Sequence, residues 1–172
     1  ARLSENDDVA MISFTGSPGI GWSIRSTAAR KKVALELGNN APVIVEADSN
    51  ISAVAASVAA SGYSFQGQSC ISVQRVYVHE SVYESFLEML QEKVAQLVVG
   101  EPLDDLTDVS ALISSNDTQR VLDWIASATQ QGARLVFGGT KNADGVLLPT
   151  VLADTNDEMD VCRKEVFGPV VS

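Results

Sequence analysis

The sequence predicts an α/β domain with a mostly parallel sheet flanked by helices. Short apolar runs with the length of buried strands alternate along the chain with amphipathic helical segments. Turns rich in glycine, asparagine and proline separate these segments. Such alternation is typical of strand–helix–strand units, in which helices cover a parallel sheet.

The first predicted elements surround a glycine-rich turn. Residues 9–14 (V-A-M-I-S-F) are almost all apolar and predict a buried strand. The turn occupies residues 15–21, and residues 22–30 predict a helix. A short strand is expected over residues 32–37, before a second turn at residues 38–40.

The middle of the chain predicts two strands and two helices. Residues 42–46 (P-V-I-V-E) predict a buried strand, and Asn50 is a suitable N-cap for a helix that runs towards Phe65. Residues 73–79 predict another strand, after which Ser81 is expected to cap an amphipathic helix. The apolar face of that helix comprises Phe86, Leu90, Val94 and Leu97.

The last part of the chain continues the alternation. Residues 117–131 predict a helix, and residues 133–137 and 146–152 predict strands. A helical turn is expected over residues 157–164. Residues 170–172 resemble a strand that has been cut short.

Composition excludes several classes of partner. The formal net charge is −10, from 12 basic and 22 acidic residues, which argues against binding to nucleic acid or to an anionic membrane. No apolar run approaches the length of a membrane-spanning helix, and no signal peptide is visible. The chain starts with Ala1 rather than methionine, so we expect it to be cut from a longer protein.

The two cysteines, Cys70 and Cys162, are expected to be reduced thiols in a cytoplasmic protein. The only histidine, His79, stands at the end of a predicted strand, where a solvated side chain is expected. No cysteine and histidine residues have the spacing of zinc ligands.

Two motifs point towards phosphate and ribose binding. F-T-G-S, at residues 14–17, joins a strand to a helix and places backbone N–H groups where a phosphate can bind. On these residues alone, an ordinary strand–turn–helix connection is the favoured explanation of this motif. In K-E-V-F-G-P, at residues 164–169, Glu165 can accept hydrogen bonds from vicinal hydroxyls and Phe167 can pack against a ring. The alternative is a structural corner.

Two further motifs offer a base and a nucleophile. Glu36 in L-E-L-G lies between leucines and is a candidate general base, or a solvated residue of an edge strand. Cys70 in G-Q-S-C follows a glycine that allows a sharp turn, and is a candidate nucleophile or a small buried residue.

Together the motifs resemble the aldehyde dehydrogenase superfamily. F-T-G-S, E-L-G, G-Q-x-C and E-x-F-G-P occur in that family in the order found here, and the step of 34 residues from Glu36 to Cys70 is similar. The stretches A-P-V-I-V, V-G-E-P-L-D and L-P-T-V-L also resemble the family. The resemblance covers the chain from Val9 onward.

The resemblance implies a catalytic mechanism that uses two residues. Cys70 would attack an aldehyde carbonyl, and a thiohemiacetal would pass a hydride to NAD or NADP. Glu36 would activate the water that hydrolyses the resulting thioester. The backbone N–H of Cys70 would form half of an oxyanion hole, whose other half is an asparagine that this sequence lacks.

The resemblance also implies cofactor contacts, domains and assembly. Residues 1–36 would be the last strand, turn and helix of the nucleotide-binding domain, and residues 37–172 a truncated catalytic domain. The full-length enzyme would be a homodimer or homotetramer acting on a small-molecule aldehyde, and the 172-residue piece alone would be inactive. The cofactor contacts would be Gly16, Ser17, Ile20, Leu37, Glu165 and Phe167.

Two departures from the family pattern concern the active site. Asn39 replaces the second glycine after E-L, and asparagine tolerates left-handed backbone better than most residues. I-S-V-Q-R, at residues 71–75, replaces smaller residues after the cysteine, so Ile71 and Arg75 are expected to affect the substrate pocket or its support.

Two other functions compete with aldehyde oxidation. A non-catalytic scaffold could keep the fold, but the motif side chains present here are intact. A thiol hydrolase or acyltransferase could use Cys70 without a nicotinamide. Such an enzyme would have no need of Ser17, Glu165 and Phe167.

Overall fold

A computed structural model describes residues 2–172. The chain divides into two compact units, residues 1–39 and residues 40–172. The larger unit contains most of the α/β architecture.

The first unit contains a parallel pair of strands connected by a helix. A short helix α1 (Arg2–Glu5) precedes strand β1 (Met11–Thr15), helix α2 (Pro18–Thr27) and strand β2 (Lys32–Glu36). Met11 pairs with Lys32 and Thr15 with Glu36. Strand β1 was predicted to be buried, but alternate residues are exposed because its sheet has only two strands. Helix α2 begins earlier than predicted, since a proline fits the first turn of a helix.

A parallel strand–helix–strand connection begins the second unit. Strand β3 (Pro42–Val45), helix α3 (Ile51–Tyr63) and strand β4 (Arg75–Val78) follow in order, and β3 pairs with β4 in parallel. The predicted N-cap is confirmed, because the Asn50 side chain accepts a hydrogen bond of 3.2 Å from the backbone N–H of Ala53.

The predicted start of the next helix is wrong. A short 3₁₀ turn (Glu80–Val82) precedes helix α4 (Tyr83–Ala95), and no side-chain cap is present at Val82. Ser81 instead donates its backbone N–H to the ring of exposed His79 at 3.2 Å. The apolar face of α4 is as predicted, with Phe86, Leu90 and Val94 buried and Leu97 partly buried.

The remaining elements include the one antiparallel strand pair of the described residues. Helix α5 (Ser115–Gln130) leads to strands β5 (Arg134–Phe137) and β6 (Thr150–Ala153), which are antiparallel. A short helix α6 (Asp160–Arg163) precedes strand β7 (Val170–Val171), which pairs with β6 in parallel.

The predicted α/β fold is confirmed, but the strands of residues 2–172 form three small sheets rather than one. Backbone hydrogen bonds of 2.8 Å join Ser172 to Gln74 and Val76, so the end of β7 lies beside β4. The pattern of alternating elements predicts which strands exist, but it does not predict where a sheet is interrupted.

Two apolar clusters form the core of the second unit. The larger lies where α3 and α4 pack on β3, β4 and β6, with Val58, Tyr63, Phe86 and Leu90 nearly inaccessible. The smaller surrounds α5 and α6 and includes Val121, Ile125 and Val161. Among residues 2–172, no helix combines the length and apolar character needed to cross a membrane.

Candidate active site

Cys70 is presented by a tight turn at the end of α3. A 3₁₀ segment (Ser64–Gly67) follows the helix, and Phe65, Gln66 and Gly67 have φ angles of 49°, 59° and 68°. Left-handed backbone is costly at residues other than glycine, and such strain is concentrated at functional sites. The thiol of Cys70 is exposed at the end of this turn and forms no disulfide.

The turn is anchored on both sides. The hydroxyl of buried Tyr63 donates to the carbonyl oxygen of Thr150 at 2.8 Å, which joins the end of α3 to β6. Burial raises the pKa of Tyr63, so this donor stays protonated. On the other side, Ser72 donates its hydroxyl to the carbonyl oxygen of Gly62 at 3.1 Å. Cys70 therefore extends from a rigid support.

The turns of the G-Q-S-C and E-V-F-G-P motifs pack backbone against backbone. A Cβ atom at Gly67 would overlap the carbonyl oxygen of Gly168. Gly168 is enclosed in turn, since a Cβ there would lie 2.8 Å from Cγ2 of Val121 on α5. The structure thus brings together two motifs that are about a hundred residues apart in sequence.

Glu165 and Phe167 lie on a segment that is held on two sides. The side-chain oxygen of buried Gln74 accepts a hydrogen bond from the backbone N–H of Val166 at 2.5 Å. The guanidinium of Arg120 donates to the carbonyl oxygen of Val166 at 2.9 Å. Phe167 has a φ of 50° and a side chain that is 37% exposed, while Glu165 is half-buried. An exposed ring and a half-buried carboxylate on one fixed segment are suited to binding a ligand.

In the first unit, the backbone N–H of Gly16 donates to the carbonyl oxygen of Glu36 at 3.0 Å. This bond joins the F-T-G-S turn to the end of β2. Glu36 is the last residue of that strand, and its side chain is exposed. The structure thereby brings the predicted turn and the predicted base together within residues 1–39.

The start of helix α2 has the features of a phosphate site. Ser17 is the N-cap residue, but its side chain makes no capping hydrogen bond. A Cβ atom at Gly19 would meet nothing within 4 Å, so the first helical turn is open to solvent. The first backbone N–H groups of a helix have no partners within it and attract anions. These residues fit the pyrophosphate of a dinucleotide.

Ile20 and Leu37 occupy different environments. Ile20, on α2, is 55% exposed. Leu37 is half-buried and lies so close to Gly21 that a Cβ on that glycine would overlap its side chain. The Leu37 side chain therefore packs against α2.

Sequence reasoning missed the polar side chains that hold the site in place. Gln74 was not singled out, although it directly precedes β4 and its side chain is buried, where a polar group needs a hydrogen-bond partner. Asn40 donates to two carbonyl oxygens close to Glu165 in sequence. Cys162, the second thiol, is buried and only 5% exposed. No cluster of metal-ligating side chains occurs in the described part of the chain.

Several known proteins are similar to this chain in sequence. A 3-sulfolactaldehyde dehydrogenase of Priestia megaterium is 46% identical over 171 residues, which are 99% of this chain and 35% of that protein. A lactaldehyde dehydrogenase of Methanococcus maripaludis is 40% identical over 170 residues, which are 99% of this chain and 36% of that protein. The chain spans about a third of the length of these relatives.

Solved structures show the same architecture. An E. coli NADP-dependent enzyme matches with a TM-score of 0.95 and 36% identity, over 98% of this chain and 36% of that one. An NAD-dependent aldehyde dehydrogenase of Sinorhizobium meliloti matches with a TM-score of 0.95 and 36% identity, over 99% of this chain and 35% of that one. The aldehyde dehydrogenase family matches over residues 1–172, so the chain belongs to that family.

Proposed function

We propose that the chain carries the thiol chemistry of an NAD(P)-dependent aldehyde dehydrogenase. The observation that supports this most directly is the exposed Cys70 thiol, on a strained turn that packs against the segment carrying Glu165 and Phe167. A thiol hydrolase would need the strained turn but not that second segment.

Cys70 is the nucleophile in this proposal. Its thiolate attacks the carbonyl carbon of the aldehyde, and the backbone N–H of Cys70 donates to the oxygen that becomes negative. Bound NAD or NADP supplies the acceptor for the hydride that then leaves this carbon. The carbon remains attached to Cys70 as a thioester.

Glu36 completes the reaction as a general base. Its carboxylate takes a proton from water as the water oxygen attacks the thioester carbon. The bond from carbon to sulphur breaks, and the products are a carboxylic acid and the Cys70 thiolate. The exposed position of Glu36 at the end of β2 leaves its carboxylate accessible to water.

Each unit contributes its own proposed cofactor contacts. Gly16, Ser17 and Ile20 are proposed to bind the pyrophosphate and adenine, and Leu37, which also packs against Gly21, is proposed as a further cofactor contact. Glu165 is proposed to hold the nicotinamide ribose, with Phe167 beside the ring. Residues 1–36 then belong to the nucleotide-binding domain and residues 37–172 to the catalytic domain.

The relatives suggest the class of substrate. Two of them are named for 3-sulfolactaldehyde and for lactaldehyde, which are both small 2-hydroxyaldehydes. We propose the same class for the enzyme that contains this chain, acting as a cytoplasmic homodimer or homotetramer. The 172 residues alone, about a third of the relatives' length, are expected to be inactive.

Replacement of the two cysteines tests the proposed function. In the full-length enzyme, Cys70→Ala should abolish aldehyde-dependent reduction of NAD or NADP, while Cys162→Ala should leave it nearly intact. The buried Cys162 is the matched control, since both variants remove one thiol. Oxidation that survives Cys70→Ala but is lost in Cys162→Ala would refute the assignment.

A further inference from the structure

Asn40 and Arg75 form a continuous series of hydrogen bonds between three segments of the second unit. The guanidinium of Arg75 donates to the carbonyl oxygen of Asn40 through Nε at 3.2 Å and Nη2 at 2.9 Å. The amide nitrogen of Asn40 donates to the carbonyl oxygens of Cys162 at 2.6 Å and Lys164 at 3.2 Å. Two side chains therefore join three stretches of backbone.

Each joined stretch is next to a residue of the proposed site. The asparagine follows Glu36 by four residues, the arginine follows Cys70 by five residues, and Lys164 directly precedes Glu165. Within the second unit, the series thus connects the strand that follows the nucleophile with the segment that leads to the ribose contact. Glu36, Cys70 and Glu165 are not donors or acceptors in the four hydrogen bonds of this series.

The guanidinium of Arg75 contacts the carbonyl oxygen of Asn40 on one side and the carboxylate of Asp157 on the other. Its side chain is only 23% exposed, and its Nη1 lies 3.4 Å from Oδ1 of Asp157. The hydroxyl of Tyr77 donates to the same carboxylate oxygen at 2.9 Å. An arginine held by a carboxylate at one end can keep a carbonyl oxygen at a constant position at the other, because its donors form a rigid fork.

The two polar atoms of the Asn40 amide differ in their hydrogen-bond partners. Its nitrogen faces two carbonyl oxygens, so only the nitrogen can occupy that position. Its Oδ1 is buried and finds no hydrogen-bond partner among residues 2–172. An orphan oxygen reduces the net stability gained from the amide. The two hydrogen bonds from its nitrogen hold the backbone at Asn40 at a constant distance from residues 162–164.

We propose that Asn40 and Arg75 are positioning residues for aldehyde oxidation, a role that rests on the function proposed above. They hold the segments that carry Cys70 and Glu165 at a constant separation, without contacting the substrate. A displacement of about 1 Å at a reacting group can cost about 10²-fold in rate. Loss of either residue therefore slows the reaction without removing any catalytic group.

Four variants of the full-length enzyme test this proposal. Asn40→Ala and Arg75→Met remove the donors, and kcat should fall by about 10–100-fold. KM for the aldehyde should change by less than about threefold, because no substrate contact is lost. Hydride transfer should become slower, so an aldehyde deuterated at its carbonyl carbon should show a larger isotope effect on kcat.

The conservative variants separate positioning from space filling. Asn40→Asp keeps the shape but places a carboxylate against two carbonyl oxygens, so it should be at least as impaired as Asn40→Ala. A space-filling role predicts the reverse order. Arg75→Lys keeps one donor and should recover part of the activity lost in Arg75→Met. If an Asn40 variant does not fold, the order of the two Arg75 variants decides the question.

Arg134→Met is the matched control. Arg134 also joins separate segments, through Asp154 at 3.0 Å and Glu84 at 3.3 Å, but away from the proposed site residues in sequence. This variant should lower the melting temperature and leave kcat and the isotope effect unchanged. Normal kcat in folded Asn40→Ala and Arg75→Met enzymes would overturn the positioning role. Activity that persists in Cys70→Ala would instead overturn the proposed function itself.

Discussion

The backbone of Gly67 lies directly against the carbonyl oxygen of Gly168, in a space that no side-chain atom could share. Gly67 is three residues before Cys70, and Gly168 directly follows Phe167. The contact therefore sets the separation of the proposed nucleophile and the proposed nicotinamide contact. Glycine is needed here both for the close approach and for a φ of 68°.

Replacement of Gly67 by alanine should damage both stability and catalysis. An alanine in left-handed backbone costs about 1–2 kcal/mol, and the overlap with Gly168 adds to that. We expect a lower midpoint in urea unfolding and slower alkylation of Cys70 by iodoacetamide in the folded enzyme.

Gly145→Ala is the matched control for this prediction. Gly145 has a φ of 83°, but a Cβ there would meet nothing within 4 Å. Gly145→Ala should therefore lose only the stability that left-handed backbone costs an alanine, with no loss from overlap. Equal losses of stability and equal alkylation rates in the two variants would show that the Gly67 contact is unimportant.

Replacement of Glu36 by glutamine should separate the two halves of the reaction. The amide cannot take a proton from water, so steady-state turnover should fall by about 10²–10⁴-fold. Formation of the thioester does not need this base, so a first-turnover burst of reduced cofactor should persist in rapid-mixing absorbance. Unchanged steady-state turnover would rule out the role of Glu36.

Replacement of Glu165 by glutamine should slow hydride transfer more than it slows the reaction of the aldehyde with Cys70. Glutamine has one acceptor oxygen, so it cannot accept from two vicinal hydroxyls through two separate oxygens as a carboxylate does. A deuterated aldehyde should therefore show a larger isotope effect on kcat, while the rate of Cys70 alkylation stays similar. Normal turnover with an unchanged isotope effect would count against the ribose contact.

The stability that depends on Asp154 should disappear in acid. The hydrogen bond from the Tyr83 hydroxyl, at 2.7 Å, is the main cause that lowers the pKa of this carboxyl, with Arg134 contributing. A lowered folded pKa stabilises the protein above the unfolded pKa, about 3.9, and this stabilisation is lost as pH falls through the folded pKa.

Asp154→Asn should therefore be less stable than the parent at about pH 7, and the difference should shrink towards about pH 3. Urea unfolding at several pH values measures this. Asp105→Asn, in an exposed acidic loop, should show no such trend. A difference between Asp154→Asn and the parent that stays constant with pH would contradict the interpretation.

Features encoded by neighbouring residues could be predicted from the sequence. The cap of α3 was correct because Asn50 acts on an N–H three residues away. Ser81 was predicted to cap the next helix, but His79 acts as the cap of a preceding 3₁₀ turn by accepting the Ser81 N–H. Local competition of this kind is not visible in a hydrophobic pattern.

The supports of the candidate site could not be predicted, because their partners are far apart in sequence. The hydrogen bond from Asn40 to Cys162 joins residues 122 positions apart, and neither residue type indicates the other. The contact of Gly67 with Gly168 likewise depends on how α3 and β7 pack. Motifs predict the residues that are proposed to act, while the fold was needed to identify the residues that hold them.

The central claim is that Cys70 becomes acylated during turnover, and the most direct measurement is mass spectrometry of the acid-quenched full-length enzyme. Glu36→Gln enzyme is mixed with NAD or NADP and lactaldehyde, quenched, and digested. The account predicts a mass increase of one acyl group on the peptide containing Cys70, and none without cofactor. Acylation of the Cys162 peptide, or reduced cofactor formed with no acyl-enzyme on Cys70, would contradict it.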